Sequence, residues 1–366
     1  MDKQNSLSSN QPILLLMIFV CSVIAAAVLK ITSAIILPFV IAVLLAFVMF
    51  PVIKILDKIH CPRILSILII FAIVIFGIYL FGMVLFSSGK MIVEQYPQYE
   101  EKIHLLYLQI ANLFDLEYDE ALSIWQNLWN QKEIQLIVND FAIASSKFFF
   151  SFISSTIIVV LFIIFILLEA GFFRLKLEVA FGEKMHQIER MGKDIITQVS
   201  KYLAAKFIIS LANGAIFAVA FFYVGLEFAI VWAIIQFMLN FIPTLGSIVA
   251  GAAISLFALI QFWPDPTPFI FVVIVVVATN MILGNILDPK IIGDNVGLSP
   301  LMVLISLAIW GYIWGFTGMV LAVPMTVIIK IICENVPVLE PISILIGSKK
   351  SVMKKKTDSV KNQTQQ

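Results

Sequence analysis

Charge is what this sequence has least of. Asp, Glu, Lys and Arg make up 13% of its 366 residues, about half the share of an ordinary soluble domain. Hydrophobic residues make up 61%. A chain with so little polar surface cannot be wrapped by water, so its natural solvent is lipid. Cysteine is scarce too. Cys21, Cys61 and Cys333 are far apart and form no C-x-x-C pair, which predicts free thiols and no disulfide framework. The histidines His60, His104 and His186 are isolated, and no His, Cys or carboxylate cluster has metal-ligand spacing. The phosphate-binding pattern G-x-x-x-x-G-K-[ST], the nucleophile elbow G-x-S-x-G and the dinucleotide fingerprint G-x-G-x-x-G are all absent. Covalent catalysis and ATP-driven work within this chain are therefore not expected: the prediction is no enzyme, no cofactor and no metal. A net charge of +1 says nothing about nucleic acid; what informs is where the charges sit.

What is present is a series of long apolar runs. A helix needs about 20 apolar residues to cross a hydrocarbon core, and only a helix satisfies its own backbone there. This predicts an all-α, polytopic membrane protein. Spans are expected at 12–29, 31–55 (with Pro38 and Pro51), 64–86, 148–168 and 202–224. The run near the N-terminus, with Lys3 ahead of it and Ala25, Ala26 and Ala27 behind, could pass for a secretory signal; a further apolar run follows Lys30, and the reading is a first membrane helix. Basic residues gather between the second and third spans (Lys54, Lys58, Arg63), after the fourth (Arg174, Lys176, Lys184, Arg190, Lys193) and in the tail (Lys349, Lys350, Lys354). Basic loops stay on the cytoplasmic side, so both termini are expected inside and 87–147 outside. In that outer stretch Ile103, Leu106, Tyr107, Ile110, Leu113 and Phe114 recur at helical spacing, and Trp125, Leu128, Trp129, Ile134 and Ile137 suggest a second amphipathic helix. These could lie on the membrane, or serve as an oligomer contact or gating arm.

The last third is built differently. Residues 228–260 are apolar over about 33 residues, roughly 50 Å as one straight helix and too long for a single crossing. Asn240, Phe241, Ile242, Pro243, Thr244, Leu245, Gly246 and Ser247 interrupt the run. Pro243 removes a backbone donor and Gly246 is expected to allow a tight turn. Residues 300–332 repeat the design, with a break at Gly311, Tyr312, Ile313, Trp314, Gly315, Phe316, Thr317 and Gly318, and Pro324 beyond it. Between them lies one ordinary span, 269–283, followed by Gly284, Asn285, Ile286, Leu287, Asp288, Pro289 and Lys290. Each long run can be a kinked single crossing or a re-entrant hairpin. The connecting stretch 261–268 has Asp265 and no Lys or Arg, which favours hairpins. Hairpins would make an inverted repeat, a transporter design that places the solute near the bilayer midplane.

Taken in order, these motifs resemble the autoinducer-2 exporter family of bacterial membrane proteins, the PerM-like permeases. The runs that carry the resemblance are 240–247, 284–293, 297–301 (Gly297, Leu298, Ser299, Pro300, Leu301), 310–319 and 321–326, spread over about ninety residues of the core; the spacing of the earlier spans fits too. Asp288 stands where Glu is common, and Ser247 where many members have Pro. Asn280 ahead of Gly284, and the Trp-Gly pairs, look closest to the branch implicated in autoinducer-2 transport, which links the chain to quorum sensing. The resemblance implies a multi-pass permease of the bacterial cytoplasmic membrane and a homo-oligomer, with no nucleic acid among its partners.

The organisation expected is membrane helices in 1–86, an extracytoplasmic helical region in 87–147, a membrane helix and cytoplasmic helical stretch in 148–201, a transport core in 202–335 and a disordered basic tail in 336–366. The expected path for a small polar solute is lined by Asn213, Asn240, Pro243, Thr244, Gly246, Asn280, Asn285, Asp288, Pro289, Ser299, Pro300, Gly311, Trp314, Gly315, Gly318 and Pro324. Amides inside apolar segments face the protein interior or water, not lipid. Asp288 is the expected ion- or proton-coupling residue, unless it is a loop carboxylate paired with Lys290. Trp310 and Trp314 are expected either to gate or to anchor at the interface. The first functional reading is export of an autoinducer-2-like solute by alternating access. A sodium (lithium)/proton antiporter is the alternative, and a membrane-anchored interaction protein a third.

Overall fold

The computed structural model of the chain describes residues 5–58, 132–288 and 297–348, with isolated positions between 65 and 87 and at 353. The described residues are helical, and four helices are long and apolar enough to cross a membrane, Leu175–Val224, Leu245–Phe262, Pro266–Gly284 and Pro300–Asn335, or five if a bent pair near the N-terminus is one span. Most of the expected span at 64–86, the first amphipathic helix of the outer stretch, Trp125, Leu128 and Trp129 of the second, and nearly all of the lysine tail lie outside the described residues. The chain divides into two compact units: 1–48, 154–200 and 297–366 form one, and 49–153 with 201–296 form the other.

In the first unit, α1 (Asn5–Ile31) and the part of α2 (Ser33–Lys58) up to Val48 are separated by one residue, Thr32. Their facing halves meet at 95°. The two spans expected here are thus an elbow, because a single linking residue cannot reverse the chain. The Thr32 hydroxyl donates to the Val28 carbonyl, and the Thr32 carbonyl accepts from Ile35 and Ile36, so the elbow leaves few backbone groups open. The predicted span at 148–168 is the middle of a much longer helix, α3 (Lys132–Phe181), about 75 Å long. Hydropathy located its apolar part only, since charged residues at 169–181 and 132–147 are equally compatible with helix. A short turn at Gly182–Lys184 leads to α4 (Met185–Val224), which likewise begins well before the expected span.

The second unit holds the first interrupted run. A Gly225 φ of 75° closes α4: the Leu226 amide reaches the Phe221 carbonyl and the Gly225 amide the Phe222 carbonyl. That pair of bonds is the Schellman stop. Next come α5 (Ala229–Leu239) and α6 (Leu245–Phe262). They fold back on each other. Trp232 and Phe228 near the start of α5 pack on Phe257 near the end of α6, with ring centroids 5.3 and 5.8 Å apart. The Gln261 side chain ties the base, accepting from the Glu227 amide and donating to the Gly225 carbonyl, each at 2.8 Å. This is a helical hairpin and not a kinked crossing. α7 (Pro266–Thr279) follows, capped by Asp265, whose carboxylate accepts from the Thr267 amide, with Pro266 in the first helical position. It runs on as a π-helical segment, Asn280–Leu287.

The turn of this hairpin corrects one expectation. Gly246 does not take the unusual backbone angles; Thr244 does, with φ 63° and ψ −57°. The Leu245 amide bonds the Pro243 carbonyl at 2.6 Å around it. That is a γ-turn of the rare, strained hand. Gly246 is needed for space instead, since a Cβ there would stand 1.7 Å from the Leu239 carbonyl oxygen.

The second interrupted run, α8 (Pro300–Asn335), lies in the first unit and is also a hairpin. Helical geometry fails at Trp314 and at Gly315, whose φ is 62°. In a straight helix, residues 16 apart would be roughly 24 Å apart. Here the Ser306 hydroxyl donates to the Ala322 carbonyl at 2.9 Å and lies 2.6 Å from the Thr326 hydroxyl. Gly318 repeats the logic of Gly246: its Cβ would stand 1.9 Å from the Trp310 carbonyl oxygen. Ser299 caps the first arm at the Met302 amide, with Pro300 following, and Pro324 is buried in the second arm. Residues 337–346 are not a disordered tail. A short turn and α9 (Glu340–Ile346) bury Ser343 and Ile346 and return the chain to Leu298, which bridges Gly347.

Two outcomes follow for thermal unfolding in detergent. Gly246→Ala and Gly318→Ala each destabilise by about 3 kcal/mol through overpacking against a carbonyl. Thr244→Gly stabilises by about 1 kcal/mol, because glycine takes the positive φ without strain.

Candidate functional site

In the second unit, α4 is inverted relative to a helix of a soluble protein. Lys206, Ser210, Asn213, Phe217 and Phe221 recur at helical spacing and are buried, while Phe207, Ile208, Leu211, Val219 and Phe222 are exposed. The polar stripe faces inward and the apolar stripe outward, as lipid requires. Against that stripe pack the hairpin and the π segment, and they bring further polar groups. Gln236 of α5 is fully buried and Asn240 at the turn is 2% exposed.

These side chains form one connected network. Asn213 and Gln236 both donate to Asn280 Oδ1, at 3.4 and 3.0 Å. Asn280 donates in turn to the Ser247 carbonyl at 3.4 Å. The Ser247 hydroxyl donates to Asn240 Oδ1 at 3.3 Å, and Asn240 Nδ2 donates to the Ser210 hydroxyl at 3.0 Å. Asn280 is the hub, and its position is set by the change from α to π winding. Such segments recur at functional sites because they re-aim side chains without ending the helix.

At the far end of the π segment, Asp288 Oδ2 accepts from Lys206 Nζ at 2.5 Å. The lysine side chain is 2% exposed and the aspartate 18%. The carboxylate's other oxygen is buried without a partner. Asp288 is helical and pairs with Lys206; the alternative partner Lys290 lies outside the described residues. Asp288 closes a largely buried ion pair with Lys206 of α4.

Of the expected path residues, Asn213, Asn240 and Asn280 are in the network and Asp288 is in the ion pair. Pro243, Thr244 and Gly246 build the turn beside it. Pro289 and the Asn285 side chain lie outside the described residues. Ser299, Pro300, Gly311, Trp314, Gly315, Gly318 and Pro324 belong to the first unit and shape its hairpin. There Trp310 and Trp314 are buried with centroids 4.9 Å apart, so neither is an exposed interfacial anchor. Trp314 Nε1 donates to the Leu29 carbonyl at 3.1 Å, and Lys30 Nζ sits 3.5 Å from the Tyr312 ring centroid, a cation–π contact. Lys206, Ser210 and Gln236 went unnoticed in the sequence. Their signal was present: each is a polar residue inside an apolar run, and an ionisable group there marks function or a buried partner. Among the described residues no group of three His, Cys, Asp or Glu could hold a metal ion.

Breaking the ion pair tests its burial. Lys206→Met or Asp288→Leu alone destabilises by about 3 kcal/mol, because one buried charge is left bare, whereas Lys206→Met with Asp288→Leu recovers most of the loss. Thermal unfolding of the two single variants and the double variant in detergent measures the coupling; purely additive losses contradict it.

Comparison with known proteins agrees with this architecture. The sequence pattern of the AI-2E family transporter group matches residues 13–337. A Borreliella burgdorferi protein described as a "Putative transport protein" is 32% identical over 334 residues, 90% of each chain. A Haemophilus influenzae protein of the same description is 29% identical over 89% of this chain and 93% of its own. The AI-2 transport protein TqsA of Escherichia coli is 28% identical over 91% of this chain and 93% of its own. With its family pattern covering nearly the whole chain and its apolar helices long enough to cross a bilayer, the protein belongs to the AI-2E family of transporters and is a multi-pass membrane protein.

Proposed function

We propose that the protein exports a small polar solute of the autoinducer-2 kind across the bacterial cytoplasmic membrane by alternating access. The observation that carries this reading is the amide and hydroxyl network at Asn213, Gln236, Asn240, Ser247 and Asn280. It places uncharged hydrogen-bonding groups deep inside an apolar unit, where a structural role alone could have been filled by packed hydrophobic residues. A hairpin turn lies beside it, the kind of broken helix that transporters use at solute sites. The description of the Escherichia coli relative as an AI-2 transport protein points to the same solute class. The distribution of basic residues supports cytoplasmic termini, and the family resemblance supports a homo-oligomer.

The Lys206–Asp288 pair favours a second reading, sodium (lithium)/proton antiport. It supplies the buried ionisable groups that such exchange needs.

Vesicles loaded with autoinducer-2 separate the two. Efflux from vesicles carrying the protein exceeds that from empty ones, and Asn280→Leu lowers it at least tenfold, about the loss expected for a hub with several hydrogen bonds. Efflux equal to the empty control removes the export reading. Sodium-dependent proton movement that disappears in Asp288→Asn selects antiport instead.

A further inference from the structure

The helix that begins at Pro266 changes its winding at Asn280. From there to Leu287 the backbone is π-helical, and at its end the Asp288 amide reaches five residues back, to the Leu283 carbonyl. π winding is rare and mostly confined to single-turn bulges, so eight residues of it call for a cause. The buried side of the helix supplies one. Val272, Val276, Thr279 and Leu283 are buried at the spacing of an α-helix. One α turn beyond Leu283, the next inward residue would be Leu287. In π winding it is Asp288, and Asp288 is what meets Lys206.

The inner stripe therefore has two registers. In one a carboxylate faces the buried lysine; in the other a leucine does. Two things make conversion easy. Both windings bond interior amides to carbonyls of the same helix, so no peptide group is left bare in lipid. The neighbours also hold the segment loosely: Met281, Ile282 and Ile286 are exposed, and a Cβ on Gly284 would meet nothing within 4 Å. What opposes conversion is the ion pair, because in the α register Lys206 is buried without its carboxylate. The change also turns one end of the segment against the other by about one residue, roughly 100°. The Asn280 hub and the Lys206–Asp288 pair cannot both keep their partners through it.

We propose that Asn280–Leu287 is a two-register switch, held in the π register by Lys206 and Asp288 and passing to the α register, with Leu287 inward, when that pair opens. A two-state element that two sites both bias is what couples them, and here it joins the amide network to the ion pair through one helix. The switch goes beyond the transport reading and stands whatever the solute is.

Nitroxide labels at Ile270 and Ile286, both exposed and on the same helix, read the winding by double electron–electron resonance. The full-length protein is used in detergent, with Cys21, Cys61 and Cys333 replaced by serine and the labels attached through Ile270→Cys and Ile286→Cys. In an unbroken α-helix these two positions are roughly 24 Å apart along the axis. π winding packs more residues into each turn, so the wild type gives a shorter distance. Leu287→Asp with Asp288→Leu moves the carboxylate to the α register. The distance then lengthens by a few ångström, and the unfolding temperature recovers from that of Asp288→Leu towards the wild type. Lys206→Met with Asp288→Leu removes both charges, and the distance lengthens there too. An unchanged distance in either double variant, or a carboxylate swap no more stable than Asp288→Leu alone, overturns the switch.

Discussion

A peptide group inside a bilayer has nothing to bond except the protein itself, and this one requirement shapes each interruption in the chain. An uninterrupted helix meets it automatically. A break does not, so every break here comes with its own closure. The γ-turn at Thr244 bonds Leu245 to Pro243, and the Gly246 amide reaches the Ile242 carbonyl. The base of the same hairpin is closed by one side chain, Gln261, which serves an amide and a carbonyl together. Around the second hairpin Ser306 bonds the Ala322 carbonyl, four residues ahead of Thr326. Small residues then let the arms close up, and Gly246 and Gly318 each lie against a carbonyl of the preceding arm, Leu239 and Trp310.

The same requirement explains which polar side chains exist at all. α4 carries a lysine, a serine and an asparagine on its inner face and phenylalanine, leucine and valine outside. Asn280 can bond Asn213, Gln236 and Ser247 because the winding changes there, not because those residues are near one another in sequence. The Lys206–Asp288 pair sits at the other end of this segment and neutralises itself. Among the described residues this interior is thus polar in its hydrogen bonding but balanced in charge.

Much of this was legible beforehand. Low charge and long apolar runs specify a helical membrane protein, and the excess length of 228–260 and 300–332, with Pro and Gly inside, marks the two breaks. The stretch 261–268, with its single acidic residue, leaned correctly toward hairpins. Three things were not legible. Apolar length says where a helix meets lipid and nothing about where it ends, so α3 and α4 outrun their expected bounds. Composition cannot tell a glycine needed for its backbone angle from one needed for space, which is why Thr244 was a surprise. Lys206 was overlooked because it lies close to a charged stretch, and its partner is 82 residues away.

The contacts at the elbow of the first unit have a mechanical meaning. Leu29 and Lys30, just ahead of the Thr32 break, are held by Trp314 and Tyr312 at the tip of the second hairpin. One grips through a backbone carbonyl, the other through a charge on a ring. The bend between α1 and α2 and the tip of α8 are therefore tied at two points, and moving one away from the other means breaking both contacts.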